Sequence, residues 1–302
     1  MAVHLNPQRG RARHAIRLAG AGLAAVLALL PGAVLAHGNA FTGEGAHAPV
    51  WLAQGLFALA WLGYGFGAMR RRPTFAGRAL FHTAMLVAGL ALFGPFDDWA
   101  GSSTALHMVQ HMLLILVVAP LAVLARPLAQ WCTAIGPAAD AAWRPLLRLT
   151  RHPGACALLH AAAIWIWHAP GPYMAAVFDN WLHVAEHASF LFTGWLFWWS
   201  VLRGGRQGTL AAASALLFTA MHTGALGALL TFSTRPLYWR ESRELWDQQL
   251  AGLVMWVPGG FAYLLAAAWA AYRWLQARQH EPHATSRGWP DAPHPPRQET
   301  HP

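Results

Sequence analysis

Long uncharged apolar stretches, separated by short arginine-bearing segments, dominate the chain. No Asp, Glu, Lys or Arg falls between Asp98 and Arg126, Arg151 and Asp179, Arg206 and Arg235, or Asp247 and Arg273. About 20 apolar residues carry a helix across the hydrocarbon core of a bilayer, whereas a helix on a soluble protein must turn one polar face to water. The pattern predicts seven membrane spans, near residues 50–69, 76–96, 105–125, 154–170, 181–202, 209–232 and 248–272. Ahead of them, residues 1–36 read as a signal peptide or signal anchor. Arg9, Arg11, Arg13 and Arg17 form its positive region, Leu18 to Leu35 its apolar core, and Val34-Leu35-Ala36 a small-residue cleavage site. The expected fold class is all-α, a polytopic membrane helical bundle of about seven spans over residues 37–275. Residues 276–302, rich in Pro, His and Arg, have the composition of a disordered tail.

Composition supports this picture. Of 302 residues, 56% are hydrophobic and 11% charged, against about 25% charged in a typical soluble domain. The net charge is +9 and every Lys or Arg position is Arg. Such a balance can indicate nucleic-acid binding, but these arginines sit in short loops without a recognition motif, which argues for no nucleic acid and for lipid as the surrounding partner. Their distribution sets a topology. Arg70, Arg71, Arg72 and Arg78 fall in one connection, Arg126, Arg144, Arg148 and Arg151 in the next but one, then Arg203 and Arg206, then the tail from Arg273. The alternate connections have none at 97–104 or 171–180, and only Arg235, Arg240 and Arg243 among acidic neighbours. The positive-inside rule makes the first set cytoplasmic, with the N-terminus outside and the C-terminus inside. Cys132 and Cys156 form no CxxC and read as ordinary small residues.

On this topology His107, His111, His168, His183 and His187 all fall in the outer third of the membrane. His222, beside Met221, lies near the middle of the sixth span, while His82 and His160 lie toward the inner side. His107/His111 and His183/His187 are i,i+4 pairs, so both rings of each pair share a helix face. Two facing pairs offer a four-nitrogen set suited to copper or zinc, and thioether from Met108, Met112, Met221 or Met255 would favour cuprous ion. Glu186 or Asp247 would orient a ligand ring from behind. Intramembrane ionisable groups are costly and usually functional, although a single buried His often only packs. If the signal is cut after Ala36, the new terminus at His37, with His47 nearby, would add a copper chelate. Other readings of the same residues remain open. His183-x-x-Glu186-His187 matches the H-x-x-E-H pattern of inverted zinc proteases, and haem ligation would make the chain a redox protein, although i,i+4 spacing suits a compact ion better than two macrocycles.

Several blocks resemble the CtaG family of multi-span membrane proteins, assembly factors for caa-type cytochrome c oxidase in bacteria. They are His107-Met108-Val109-Gln110-His111-Met112-Leu113-Leu114 with Ala119-Pro120-Leu121, Trp165-Ile166-Trp167-His168-Ala169-Pro170, and His183-Val184-Ala185-Glu186-His187 with Phe197-Trp198-Trp199. Gly227 to Phe232 and the run from Asp247 to Gly260 complete the set. The resemblance implies a bacterial plasma (inner) membrane protein that is not an enzyme and that helps cytochrome c oxidase mature. It also implies copper as the metal, delivered to the oxidase catalytic subunit, subunit I, with a periplasmic copper chaperone as a possible source. A metal-dependent membrane enzyme and a metal-free scaffold are the competing functions.

Overall fold

A computed structural model describes residues 48–93, 95–203, 209–238 and 244–279. The predicted signal segment, His37, His47 and the tail from residue 280 lie outside the described residues. Among the described residues every regular element is helical. In chain order these are α1 (Ala48–Arg70), α2 (Phe75–Phe93), α3 (Pro95–Ala100) and α4 (Thr104–Met112), which continues through a π-helical segment, Leu113–Val118, into α5 (Ala119–Ala125). Then come α6 (Leu128–Ile135), α7 (Pro137–Leu149), α8 (Pro153–His168), α9 (Pro170–Phe178), α10 (Asn180–Arg203) and α11 (Thr209–Thr231). The last helix is α12 (Leu245–Val254), a second π segment, Met255–Gly259, and α13 (Gly260–Gln279).

Among the described residues five helices are long and apolar enough to cross a membrane: Ala48–Arg70, Phe75–Phe93, Thr104–Ala125, Thr209–Thr231 and Leu245–Gln276. The predicted spans at 154–170 and 181–202 are helical at the expected places, yet neither joins that set. Helix α8 has 16 residues, and α10 opens with His183, Glu186 and His187, which lower its apolar character. Predicted connections also contain helices: α6 and α7 fill 128–149, and α9 fills 170–178.

Packing runs opposite to that of a soluble protein. On α2, Ala84, Ala88 and Ala91 are buried while Leu86 and Leu90 are 43% and 52% exposed. On α11, Ala212, Ala215, Thr219, Thr223 and Gly227 are buried while Leu210, Leu217, Met221 and Leu229 face outward. Small side chains let helix backbones approach when lipid, not water, is the competing solvent. The buried threonines satisfy themselves within the helix: Thr219 Oγ1 donates to the Ala215 carbonyl at 2.8 Å and Thr223 Oγ1 to the Thr219 carbonyl at 2.7 Å. Two glycine contacts bring backbones together, Gly67 of α1 against Gln130 of α6, and Gly252 of α12 against α11. A β-carbon on Gly252 would stand 2.5 Å from the Gly227 carbonyl oxygen and 2.6 Å from Thr231 Oγ1. Only glycine fits there, and the contact holds α12 close against α11.

Each π segment has a proline at hand, Pro120 just after the first and Pro258 inside the second. Proline brings no N–H to the i→i−4 ladder, and a wider turn accommodates the loss. The Ile115 carbonyl, inside the first π segment, accepts the Trp198 indole N–H at 2.7 Å, tying this helix to α10.

Candidate metal centre

The N-terminal ends of α4, α10 and α12 and the C-terminal end of α8 meet at one end of the bundle, opposite the end that carries Arg70, Arg126 and Arg203. Helix α4 starts at a junction built from two helices. Ser103 Oγ accepts from Leu106 N at 3.3 Å, as an N-cap should. Ser103 Oγ also donates to Asp247 Oδ1 at 2.7 Å, and the Thr104 backbone N–H donates to Asp247 Oδ2 at 2.7 Å. Asp247 thus caps α4 from the first turn of α12. Further along, Gln110 Nε2 donates to the Ala91 carbonyl at 2.7 Å and to Asp97 Oδ1 at 2.8 Å, fixing the rotation of α4 against α2 and α3.

That rotation turns His107 and His111 toward α10. Their rings lie 4.4 Å apart, centre to centre, and His187 is 6.0 Å from His107 and 5.2 Å from His111. Between them stands Glu186, 1% exposed. His107 Nε2 is 3.8 Å from Glu186 Oε2, and His111 Nε2 is 3.7 Å from Glu186 Oε1. Ligand atoms of His107, His111, Glu186 and His187 all lie within 4.8 Å of one another. These separations exceed a hydrogen bond. They are close to the edge of a tetrahedron around a metal ion with bonds of 2.0–2.2 Å, which is about 3.4 Å. Neither Glu186 oxygen and neither His111 nitrogen has a hydrogen-bond partner, nor has His187 Nε2. A buried carboxylate without hydrogen bonds is costly unless a cation joins it. The donor set, three imidazoles and a carboxylate, therefore fits a metal ion.

The other candidates fall into place around these four. His183 stands alongside, its ring 4.4 Å from His187 and 5.5 Å from His107. His168 approaches His111 at 6.0 Å, centre to centre. Met108 is fully buried, with Sδ 3.2 Å from His168 Nε2. The structure does not bring the remaining candidates to the cluster. His222 accepts the Trp165 indole N–H at 3.3 Å on the flank of α8. Met221 is 74% exposed, and Met255 packs in the main apolar core. Met112 reaches the second π segment, its Sδ 3.3 Å from where a β-carbon on Gly259 would stand. Asp247 acts on the helix end, as described, and not on a ligand ring. Glu186, expected behind the ligands, is one of the four, and it faces the α4 histidines instead of forming a separate His-x-x-Glu-His centre.

Two tyrosines cover the cluster. Tyr173 of α9 lies 5.7 Å from the His107 ring and stacks on Tyr238 at 3.9 Å, and the Tyr238 hydroxyl donates to the His168 carbonyl at 2.8 Å. Burial, and after it the Glu186 carboxylate, push the Tyr238 phenol above its usual value, so it stays a donor. The segment bearing Tyr238 is pinned by α12: Gln248 Oε1 accepts from Leu237 N at 2.6 Å, and Gln249 Nε2 donates to the Ser233 carbonyl at 3.1 Å. Neither tyrosine has a spacing signal in the sequence, because each comes from a connection between spans. His160, inside α8 and away from the cluster, is fully buried and donates from Nδ1 to Thr193 Oγ1 at 2.9 Å, since that hydroxyl already gives its hydrogen to the Ser189 carbonyl.

A helical membrane protein with a buried, metal-competent histidine–glutamate cluster at one end of its bundle is the class that fold and site define. The family model for the cytochrome c oxidase caa3 assembly factor (Caa3_CtaG) matches residues 60–277, and the chain belongs to that family. No curated protein and no solved structure matches it.

Proposed function

We propose that this oxidase assembly factor is a copper carrier, not an enzyme, that holds one copper ion on His107, His111, Glu186 and His187 and releases it to the oxidase catalytic subunit. The observation that carries the reading is Glu186: a buried carboxylate whose two oxygens sit 3.7 and 3.8 Å from two imidazole nitrogens with no hydrogen bond to either. Charge favours the cuprous state. One carboxylate with neutral imidazoles cancels a single positive charge, whereas a divalent ion leaves an uncompensated charge in a low-dielectric site. The i,i+4 arrangement suits release, because imidazoles from two helices can be exchanged one at a time for those of a client.

Orientation follows the same proposal. Helices α8 and α10 pack within the bundle, against each other and against α11, and with them the chain has seven spans. The arginine-bearing end is then cytoplasmic by the positive-inside rule. The cluster then lies toward the periplasmic side of the inner membrane, where subunit I would accept copper and a periplasmic copper chaperone would supply it. Copper analysis of protein extracted in mild detergent tests the reading. About one copper per chain is expected, lost in the His107→Ala/His111→Ala variant and reduced at least about tenfold in affinity by Glu186→Gln. An oxidase that acquires its copper normally in cells carrying Ala at His107, His111, His183 and His187 would overturn it, leaving a metal-free scaffold.

A further inference from the structure

Beside the four-ligand cluster lies a contact with a different chemistry. His168 Nδ1 is 2.7 Å from the Ile164 carbonyl oxygen. A carbonyl only accepts, so Nδ1 carries the hydrogen, and in the neutral ring Nε2 is left with its lone pair. That nitrogen faces Met108 Sδ at 3.2 Å. A thioether has no hydrogen to give. Two electron-pair donors therefore point at each other in a place from which water is excluded, with His168 6% and Met108 0% exposed. An imidazolium donating to sulfur would relieve the clash only by burying a charge. The alternative is a cation that accepts from both.

We propose that Met108 Sδ and His168 Nε2 form a second metal position, soft and specific for a monovalent ion of the cuprous kind, with His111 as the ligand it shares with the first. The inference rests on the carrier reading and deepens it. Imidazole plus thioether selects cuprous ion over zinc or cupric ion. Bonds of about 2.0 Å to nitrogen and about 2.3 Å to sulfur would enclose about 95° at the observed separation. Three-coordinate geometry needs about 3.7 Å between the two atoms, with bonds of those lengths. An unbranched Met side chain makes such a half-ångström shift readily. The third ligand is at hand. The His111 ring is 6.0 Å from that of His168, and neither of its nitrogens has a hydrogen-bond partner. An ion moving from one position to the other would keep His111 while exchanging Glu186 and His187 for Met108 and His168. Met108 and His107 are adjacent in sequence, so one turn of α4 serves both positions.

Anaerobic titration of the full-length protein in detergent with cuprous ion, and separately with zinc, tests this, together with X-ray absorption at the copper edge. Wild type should hold about one cuprous ion or one zinc, with a copper–sulfur path in the absorption spectrum of the cuprous form. Met108→Leu, close in volume, should remove that path and weaken cuprous binding at least about tenfold while zinc uptake is unchanged. Selenomethionine labelling of the unmutated chain should convert the path to copper–selenium, which keeps the test independent of how the variant folds. Loss of copper in Glu186→Gln with no sulfur path in any sample would overturn the second position and leave the carrier reading standing. A sulfur path lost only in Met108→Leu, with uptake insensitive to Glu186→Gln and to loss of His107, would support the second position and overturn the first.

Discussion

Replacing Asp247 by Ala should destabilise the histidine-bearing helix although Asp247 itself touches no ligand. The carboxylate takes the Ser103 hydroxyl and the Thr104 N–H at 2.7 Å each, and the Ala105 N–H at 3.4 Å. Thr104 is fully buried, so its N–H has no water to turn to, while the part-buried Ser103 hydroxyl can recover some bonding. Orphaning a buried donor costs about 1–3 kcal/mol. One donor lost outright and two weakened give about 2–4 kcal/mol, within the range for removal of a strong cap and its neighbours. For a chain of this size that is a fall of roughly 5–15 °C in the unfolding midpoint, readable by fluorescence-detected size exclusion after heating in detergent. Asp247→Asn keeps one carbonyl acceptor and should recover about half of the loss. Adding Ser103→Ala to Asp247→Ala should cost about 0.5–2 kcal/mol more, because the Ser103 hydroxyl also caps Leu106 N. An Asp247→Ala protein that melts within about 2 °C of wild type and retains its copper would show that α4 is held by something other than this junction.

Gly252→Ala should cost at least about 1–3 kcal/mol as an overpacked site, since its β-carbon would stand 2.5 Å from the Gly227 carbonyl; a midpoint unchanged in the same heating assay would contradict the close α11–α12 contact. Thr193→Val removes the acceptor of His160 and should destabilise by about 1–3 kcal/mol, with Thr193→Ser restoring most of it, again read from the midpoint. Anaerobic removal of copper by a cuprous chelator should lower the midpoint of wild type, the loaded ion being worth about 2.7 kcal/mol at a free concentration one hundred times Kd, and should leave the His107→Ala/His111→Ala variant unmoved.

The long-range pattern of charge and hydrophobicity made the helices legible, because a bilayer imposes one length and one polarity on every span. The expected spans 105–125 and 209–232 fall within a residue of Thr104–Ala125 and Thr209–Thr231. The i,i+4 histidine pairs were equally legible, since helical spacing fixes which rings share a face. Rotation about the helix axis was not. Met221 and His222 are adjacent, yet Met221 is 74% exposed and His222 is turned to Trp165, a difference that an all-apolar span gives no means of reading. The parts of Glu186 and Asp247 depended on which helix each would face. Asp247 opens α12 beside the start of α4 and meets backbone N–H groups before any ring. Tyr173 and Tyr238 come from connections between spans, where neither periodicity nor spacing marks a position.

The junction at Asp247 also orders events in time. Ser103 and Asp247 are 144 residues apart, and a ribosome adding about 5–20 residues per second needs roughly 7–30 s to cover that distance. Throughout that interval His107 and His111 are already in the membrane on a helix that lacks its cap, and the Gln248 and Gln249 anchors of the segment over the cluster have yet to be made. The pocket cannot close until the last span enters. On the carrier reading a nascent chain would be a poor trap for metal, and loading would wait until insertion is complete.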